Sequence, residues 1–463
     1  MLASGNLFSP LDLHKVVRCV AKEVDRKRRD IVQILKDLIQ FRSINPYLAK
    51  IEKSEEMKCQ RYIAEFLQQL GWEVELWEPD PRSLGEKYAG TPGYVPGHVF
   101  DQRPNLLAKS PGAASHPGIL LTGHIDVVPA TEEGWNFPPF EAVEQHGQIY
   151  GRGSVDMKGG IAAMLGALSA IKSSGIGMPP GIWFSTVVDE EAGGMGTLAL
   201  VDHIIEQQLP IGAAILGEPT DLAVAPLSRG ILWGEIVIKG RSGHIEVEQP
   251  HWRNGGAVDA IQKMLKVCKA IEWLNDEWSK APGKSHPFLP RPCRIEVAQI
   301  IGGHSPTSFA DECRITINVQ YLPSERDEAG GGSKVRNEIE TFIREFAKLD
   351  SWLKETPPMF TWLIDADSYE ISPSHPFVKL CMEGMRLVGL HAHLRGVETH
   401  TDAGRLGYDA GIPTVILGPG ETRLAHQVNE RLDITHLCNA AKAYAAIILL
   451  WLYRKPLKLE RPP

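Results

Sequence analysis

Gly118-Ile119-Leu120-Leu121-Thr122-Gly123-His124-Ile125-Asp126 is the stretch that decides how the chain folds. The uncharged run Gly118 to Thr122 predicts a buried strand, and an imidazole and a carboxylate follow it at once. The same arrangement recurs. Ile182 to Val188 predicts a strand that runs into Asp189-Glu190-Glu191, and Ala213 to Leu216 one that runs into Gly217-Glu218. Thr414 to Leu417 predicts a last strand, ending at Gly418-Pro419-Gly420 ahead of His426. Ile161, Met164, Leu165, Leu168 and Ile171 share one face of a predicted helix, 161–171. Further upstream, Ala21 to Phe41 and Met57 to Leu70 predict amphipathic helices. Strands alternating with helices imply an α/β fold with a mostly parallel central sheet covered on both faces.

The middle of the chain has another pattern. Ile231 to Lys239, Cys293 to Ile301, Glu312 to Tyr321 and Met359 to Ile364 predict strands, and Ala257 to Trp278 and Lys334 to Leu349 predict helices. In the third strand Cys313, Ile315, Ile317, Val319 and Tyr321 face one side, while Arg314, Thr316, Asn318 and Gln320 face the other. Such alternation is that of a half-buried antiparallel strand. The order β-α-β-β-α-β predicts a ferredoxin-like α+β unit over 231–366, inserted into a larger domain made of 1–230 and 367–463.

Length and composition agree with this. A chain of 463 residues predicts two or three domains, at roughly 150 residues each. The formal charge of −8 leaves no basic excess to neutralise phosphates, so nucleic acid is not an expected partner. The apolar run Ala443 to Tyr453 falls short of the ~20 residues that span a bilayer, so no membrane partner is expected. Seven cysteines without a C-x-x-C pair suit a reduced protein. With no basic, then apolar, leader at the N-terminus, the expected location is cytoplasmic.

Five short segments carry the chemistry. They are His124-Ile125-Asp126; Asp156 among the glycines of Gly151 to Gly160; Asp189-Glu190-Glu191; Glu218 before Pro219; and His426 after Gly418-Pro419-Gly420. Taken singly, each has a plain alternative: a satisfied structural His, a helix-capping Asp, a solvated acidic turn, a proline turn, an exposed loop His. Their shared position is more telling, because each is expected at or soon after the carboxyl end of a predicted strand, where open α/β sheets bind ligands. Two imidazoles and several carboxylates without a thiolate suit Zn²⁺, Co²⁺ or Mn²⁺. One Asp can bridge two ions about 3.5–4 Å apart, and a Glu beside a ligand Glu can take a proton from water.

The segments GHIDVVP, GRGSVDMKGG, VDEEAGG, GEPTD and GPGETRLAHQVNE, in that order, resemble the metallopeptidase and deacylase family of acetylornithine deacetylase, succinyl-diaminopimelate desuccinylase, aminoacylase and glutamate carboxypeptidase. The resemblance runs from about Val32 to Leu452. It implies a catalytic domain with two Zn²⁺ (Co²⁺ or Mn²⁺ as substitutes) and an inserted lid that also forms a homodimer. By it, His124 and Glu218 hold one ion, Glu191 and His426 the other, and Asp156 bridges them. Asp126 supports His124, and Glu190 is the general base. His244, in Gly240-Arg241-Ser242-Gly243-His244, reaches a partner's site to stabilise the oxyanion. The expected reaction is removal of an acetyl, succinyl or formyl group from a small N-acylated amine or amino acid, as in acetylornithine deacetylase. The alternatives are a metallo-dipeptidase or carboxypeptidase and an N-formylaminopyrimidine deformylase. Two departures bear on substrate. Thr307 and Gln320 stand where many relatives carry an Asn and an Arg that hold a substrate carboxylate. Arg241, Arg314, Arg395 and Arg405 are the expected substitutes, and His400 is unusual in the loop Thr399 to Gly404.

Overall fold

The structure is a computed structural model that describes residues 10–49, 53–112, 114 and 116–454. In chain order it has α1 (Pro10–Arg26), α2 (Arg28–Gln40), α3 (Glu56–Gln69), β1 (Glu73–Trp77), β2 (Asn105–Lys109), β3 (Gly118–His124), α4 (Lys158–Ser173), β4 (Ile182–Val187), α5 (Met195–Glu206) and β5 (Ile211–Leu216). There follow β6 (Gly230–Lys239), α6 (Ala260–Trp278), β7 (Ile295–Gly302), β8 (Glu312–Tyr321), α7 (Ser333–Ala347) and β9 (Met359–Ala366), then β10 (Thr414–Ile416) and α8 (Ile434–Tyr453).

The central sheet has six strands in the order β1-β2-β4-β3-β5-β10. β4, β3, β5 and β10 are parallel, and β2 and β1 add antiparallel strands at one edge. β3 is buried along its whole length, as a strand covered on both faces must be. On one face α4 and α8 pack together over the sheet, with α1 and α2 outside them. On the other face Leu200, Val201 and Ile204 of α5 meet Leu120, Trp183 and Ala214. α8 is long and apolar enough to cross a membrane, yet most of it lies inside the protein core. Its side chains interlock with Met164, Leu168 and Ile171 of α4 in one cluster, each fully buried aliphatic contributing about 1.5–3 kcal/mol. Asp433 caps it by accepting from the Thr435 and His436 amides.

Three details differ from the sequence expectations. The predicted helix 21–41 is two helices, α1 and α2, separated at Lys27. α1 begins earlier because Leu13, Val17, Val20 and Val24, at helical spacing, are all buried. β3 runs two residues further than predicted, so His124 is its last residue rather than part of the following loop. The edge strands β1 and β2 lie outside every predicted element. β1 is short, acidic and mostly exposed, and so carries little apolar signal.

The second sheet has four antiparallel strands in the order β7-β8-β6-β9, with α6 and α7 on one face. The chain enters and leaves it side by side. Leu227–Ser228 pairs with Tyr369–Glu370 in a short antiparallel ribbon. Just beyond, Asp367 accepts from Arg326 at 2.9 and 3.0 Å and from Arg405 at 2.5 Å, joining the smaller unit to the larger.

Close packing at the start of α4 ties the fold to the strand ends. A Cβ on Gly160 would lie 2.1 Å from the Gly217 carbonyl oxygen, one residue before Glu218. Gly160→Ala should therefore cost about 1–3 kcal/mol through overpacking. An unchanged urea midpoint for this variant would show that the helix can shift without cost.

Candidate active site

The carboxyl ends of the parallel strands converge on Asp156, which the loop before α4 delivers from the side. His124 closes β3, Glu190 and Glu191 follow β4, Glu218 follows β5, and His426 lies in the loop after β10. His124 Nε2 is 3.1 Å from Asp156 Oδ1, 3.4 Å from Glu218 Oε1 and 3.7 Å from Glu190 Oε2. His426 Nε2 is 3.2 Å from Asp156 Oδ2 and 3.1 Å from Glu191 Oε2. Asp156 thus turns one oxygen to each imidazole. Two groups result, His124-Asp156-Glu218 and Asp156-Glu191-His426, each with its donor atoms within 4.8 Å of one another.

The donor set fits metal ions. Glu191 Oε1 and Glu218 Oε1 are buried without a hydrogen-bond partner in the protein. Buried carboxylate oxygens are costly to leave unpaired. Imidazole nitrogens and carboxylate oxygens, without sulfur, suit borderline or hard divalent cations.

Electrostatics carry the same message. Burial raises Glu190 and Glu191, and raises Glu218 to about 7. The Glu191 charge, above all, raises His426 to about 11. Burial disfavours the His124 imidazolium, but the charges of Glu190 and Glu218 outweigh it and raise the group. Burial likewise opposes the Asp156 charge, and hydrogen bonds from His124 and His426 overcome it to hold Asp156 well below the usual carboxylate range.

A layer of polar groups beneath holds these side chains in place. His124 Nδ1 donates to the Asp126 main-chain carbonyl at 3.0 Å, while the nearer Asp126 carboxylate oxygen is 3.6 Å away. The expected clamp on His124 is therefore made by the Asp126 backbone. Its carboxylate instead accepts from the amides of Glu190 and Glu191 at 3.3 and 3.1 Å, and from Asn45 Nδ2 at 2.8 Å. Asp189, in the left-handed region at φ 68°, accepts from Arg103 Nη2 at 3.1 Å and His98 Nδ1 at 2.8 Å. A non-glycine backbone in that region costs about 1–3 kcal/mol and persists only where its surroundings enforce it. Arg103 also forks onto Glu56 of α3. On the other flank, Glu430 accepts from the Val155 and Asp156 amides at 2.8 and 3.2 Å and from Arg152 at 2.6 Å. Asn45, Glu56 and the pair His98 and Arg103 carry no local sequence signal, because they come from three different segments.

Comparison with known proteins places the chain. Residues 120–450 match the model of peptidase family M20/M25/M40. The chain belongs to this family. The N-formyl-4-amino-5-aminomethyl-2-methylpyrimidine deformylase of Halalkalibacterium halodurans is 31% identical over 455 residues, 94% of this chain and 97% of that protein. The deformylase of the same name from Bacillus subtilis is 30% identical over 452 residues, with the same coverage of both chains. A dipeptidase from Saccharomyces cerevisiae shares the fold, with a TM-score of 0.72, 18% identity and coverage of 95% of this chain and 99% of that one. As a member of the M20/M25/M40 family the chain is a hydrolase of amide bonds.

In this M20/M25/M40 chain the second sheet roofs the site. A cleft of about 420 Å³ lies between the strand ends and that sheet, lined by Asp156, Glu190, Glu191, Glu218 and His426 below and by Ile231, Trp233, Asn318 and Ile364 above. Val397, Thr399 and His400 close one side. Gln320 is not among the lining residues; it accepts from Arg229 Nη1 at 2.7 Å. None of the four expected substitute arginines lines the cleft either. Arg241 donates to the Trp252 and Gly256 carbonyls, Arg314 pairs with Glu235 and Glu312, Arg395 with Glu398, and Arg405 with Asp367 and Asp409. Among the described residues Arg423 is the one lining guanidinium, and Glu421 holds it at two nitrogens. His244 is exposed in a turn beside Ser308 and does not line the cleft of its own chain, and Thr307 lies in the same exposed region.

At pH 7 the metal-free site keeps a proton on His426 and holds Glu218 near half-protonation. A cation takes those atoms only as the protons leave, so Zn²⁺ binding should release protons and strengthen as pH rises from about 6 to 8. Calorimetric titration in two buffers of different ionisation enthalpy measures the release. Heats independent of the buffer would show ligands already deprotonated.

Proposed function

We propose that this chain removes an N-formyl group from a small amine bearing a neutral planar ring, an N-formylaminopyrimidine above all. The observation that carries this reading is the cleft wall. Above the carboxylates it is mostly apolar and uncharged, with Ile231, Trp233, Ile364, Ala366 and Val397 around Asn318, and the one lining guanidinium among the described residues is already paired. A carboxylate buried there would lack a counterion, which is costly. The likeness to two formylaminopyrimidine deformylases along almost the whole chain supports the same conclusion. The deformylase alternative is thereby preferred to the acetylornithine-like reading, whose substrate carries an α-carboxylate.

His124 and Glu218 would hold one Zn²⁺, Glu191 and His426 the other, with Asp156 shared. When bound, the two ions supply Lewis-acid stabilisation of the charge that develops on the amide oxygen. Glu190 is the base. Asp126 holds its amide, and its carboxylate lines the cleft beside the proposed ligands. It takes a proton as water oxygen bonds to the formyl carbon. It returns that proton to the nitrogen as the C–N bond breaks, giving the free amine and formic acid, which loses its proton to the amine or solvent to become formate. His244 would donate to the tetrahedral oxyanion from a second copy of the chain, since it lies exposed in its own. A homodimer through the four-stranded unit fits the exposed apolar side chains Val297, Ile300 and Ile301 of β7.

A panel of N-formylaminopyrimidine, N-acetylornithine, N-succinyl-diaminopimelate and dipeptides, assayed by released amine on Zn²⁺-loaded enzyme, tests the substrate. Preference for a carboxylate-bearing member would overturn the reading. Glu190→Gln should lower kcat about 10²–10⁴-fold with metal content retained. His244→Ala should lower it about 10²–10³-fold. Mixing these two inactive variants should restore activity, because one site of a mixed dimer then has both groups intact. No recovery after subunit exchange would place His244 outside the reaction.

A further inference from the structure

Two rows of side chains cross the roof of the cleft. Ile364, Trp233 and Asn318 are register partners on β9, β6 and β8, and Ala366, Ile231 and Gln320 form the next row. Residues paired in this way share a face, with Cβ atoms about 4.5–5.5 Å apart. In the second row Gln320 is engaged by Arg229. In the first, Asn318 lines the cleft and its carboxamide makes no hydrogen bond among the described residues. Beside it, the Trp233 indole N–H is buried without a partner. A buried donor left unpaired costs about 1–3 kcal/mol, which an acceptor on a ligand would recover.

The opposite side offers an acceptor. His400 lines the cleft, and its Nδ1 donates to the Asp367 carbonyl at 2.9 Å. A carbonyl can only accept, so Nδ1 holds the hydrogen and the neutral ring keeps its Nε2 lone pair. The cleft thus presents an uncharged set. There are two donors, from Asn318 and Trp233, and two acceptors, from Asn318 and His400.

Resting on the deformylase reading, we propose that Asn318 sets specificity by reading the edge of an aminopyrimidine ring. Its Nδ2 donates to a ring nitrogen while its Oδ1 accepts from the adjacent exocyclic amine. This is the two-point match by which a carboxamide reads the amino edge of adenine. Trp233 Nε1 supplies the donor for the second ring nitrogen, and His400 Nε2 accepts the remaining amine hydrogen. A benzene ring of the same size would satisfy none of these groups.

The test compares kcat/KM for N-formyl-4-amino-5-aminomethyl-2-methylpyrimidine and for N-formylbenzylamine, on Zn²⁺-loaded enzyme of verified metal content. The parent enzyme should favour the pyrimidine about 10²-fold or more, and Asn318→Leu should cut that ratio about 10–100-fold, chiefly through KM. Asn318→Asp keeps the size but loses the donor, and should cut the ratio as well. A ratio unchanged in both variants, with both substrates slowed alike, would make Asn318 structural and overturn the proposal. A parent enzyme that cleaves both formamides without preference would overturn it too. One that cleaves neither formamide but hydrolyses dipeptides or acylated amino acids would instead overturn the deformylase reading on which the proposal rests.

Discussion

Asp156, Glu190, Glu191 and Glu218 share one buried pocket, and only two imidazoles, His124 and His426, lie against Asp156. Like charges so close, in a medium of low dielectric, repel strongly unless something positive stands between them. Much of the surrounding architecture serves that constraint. The parallel strands bring their carboxyl ends to one place. Asp126 holds the amides of Glu190 and Glu191 from below, and Glu430 holds that of Asp156 from the side. These contacts keep the carboxylates together against their repulsion, and so preserve a site whose surplus negative charge invites divalent cations. The cost is borne by tightly paired groups such as Arg103 with Glu56 and Arg152 with Glu430.

Legibility in the sequence follows how local each signal is. His124, Glu190, Glu191 and Glu218 were visible because each directly follows an apolar run, and that pattern survives in one dimension. The central parallel strands were visible for the same reason. Arg103, Asn45 and Glu56 were not. Their roles depend on three distant segments meeting under Asp189, and no spacing within any of them announces it. Gln320 and Asn318 show the limit most clearly. Alternation placed both on the polar face of one strand and could go no further. Only the contact from Arg229, a residue outside that strand, withdraws Gln320 and leaves Asn318 facing the cleft.

On the proposed reading both units contribute: the carboxylates act on the amide from below while Trp233 and Asn318 face the ring from above, with His244 and His400 crossing that division. The floor of the cleft, with its bridging carboxylate, is built on the parallel sheet. The roof, with Trp233 and Asn318, belongs to the antiparallel one. On that reading, changes to Trp233 on β6 and Asn318 on β8 would alter what is recognised while leaving the carboxylates of the floor in place.

The paired crossing at Leu227–Ser228 and Tyr369–Glu370 has a mechanical consequence. Both connections between the two sheets pass through one narrow ribbon, and the Gly93 amide on the Asp365 carbonyl, the Gly396 amide on the Phe288 carbonyl and the Arg291–Glu398 pair fasten the roof at further points. Arg326 and Arg405 meet on Asp367 beside that ribbon and add a charged tie between the units. Lifting the roof away from the floor would strain this three-membered contact. Ion pairs that never touch the bound molecule thus help to set how firmly the roof is seated above it.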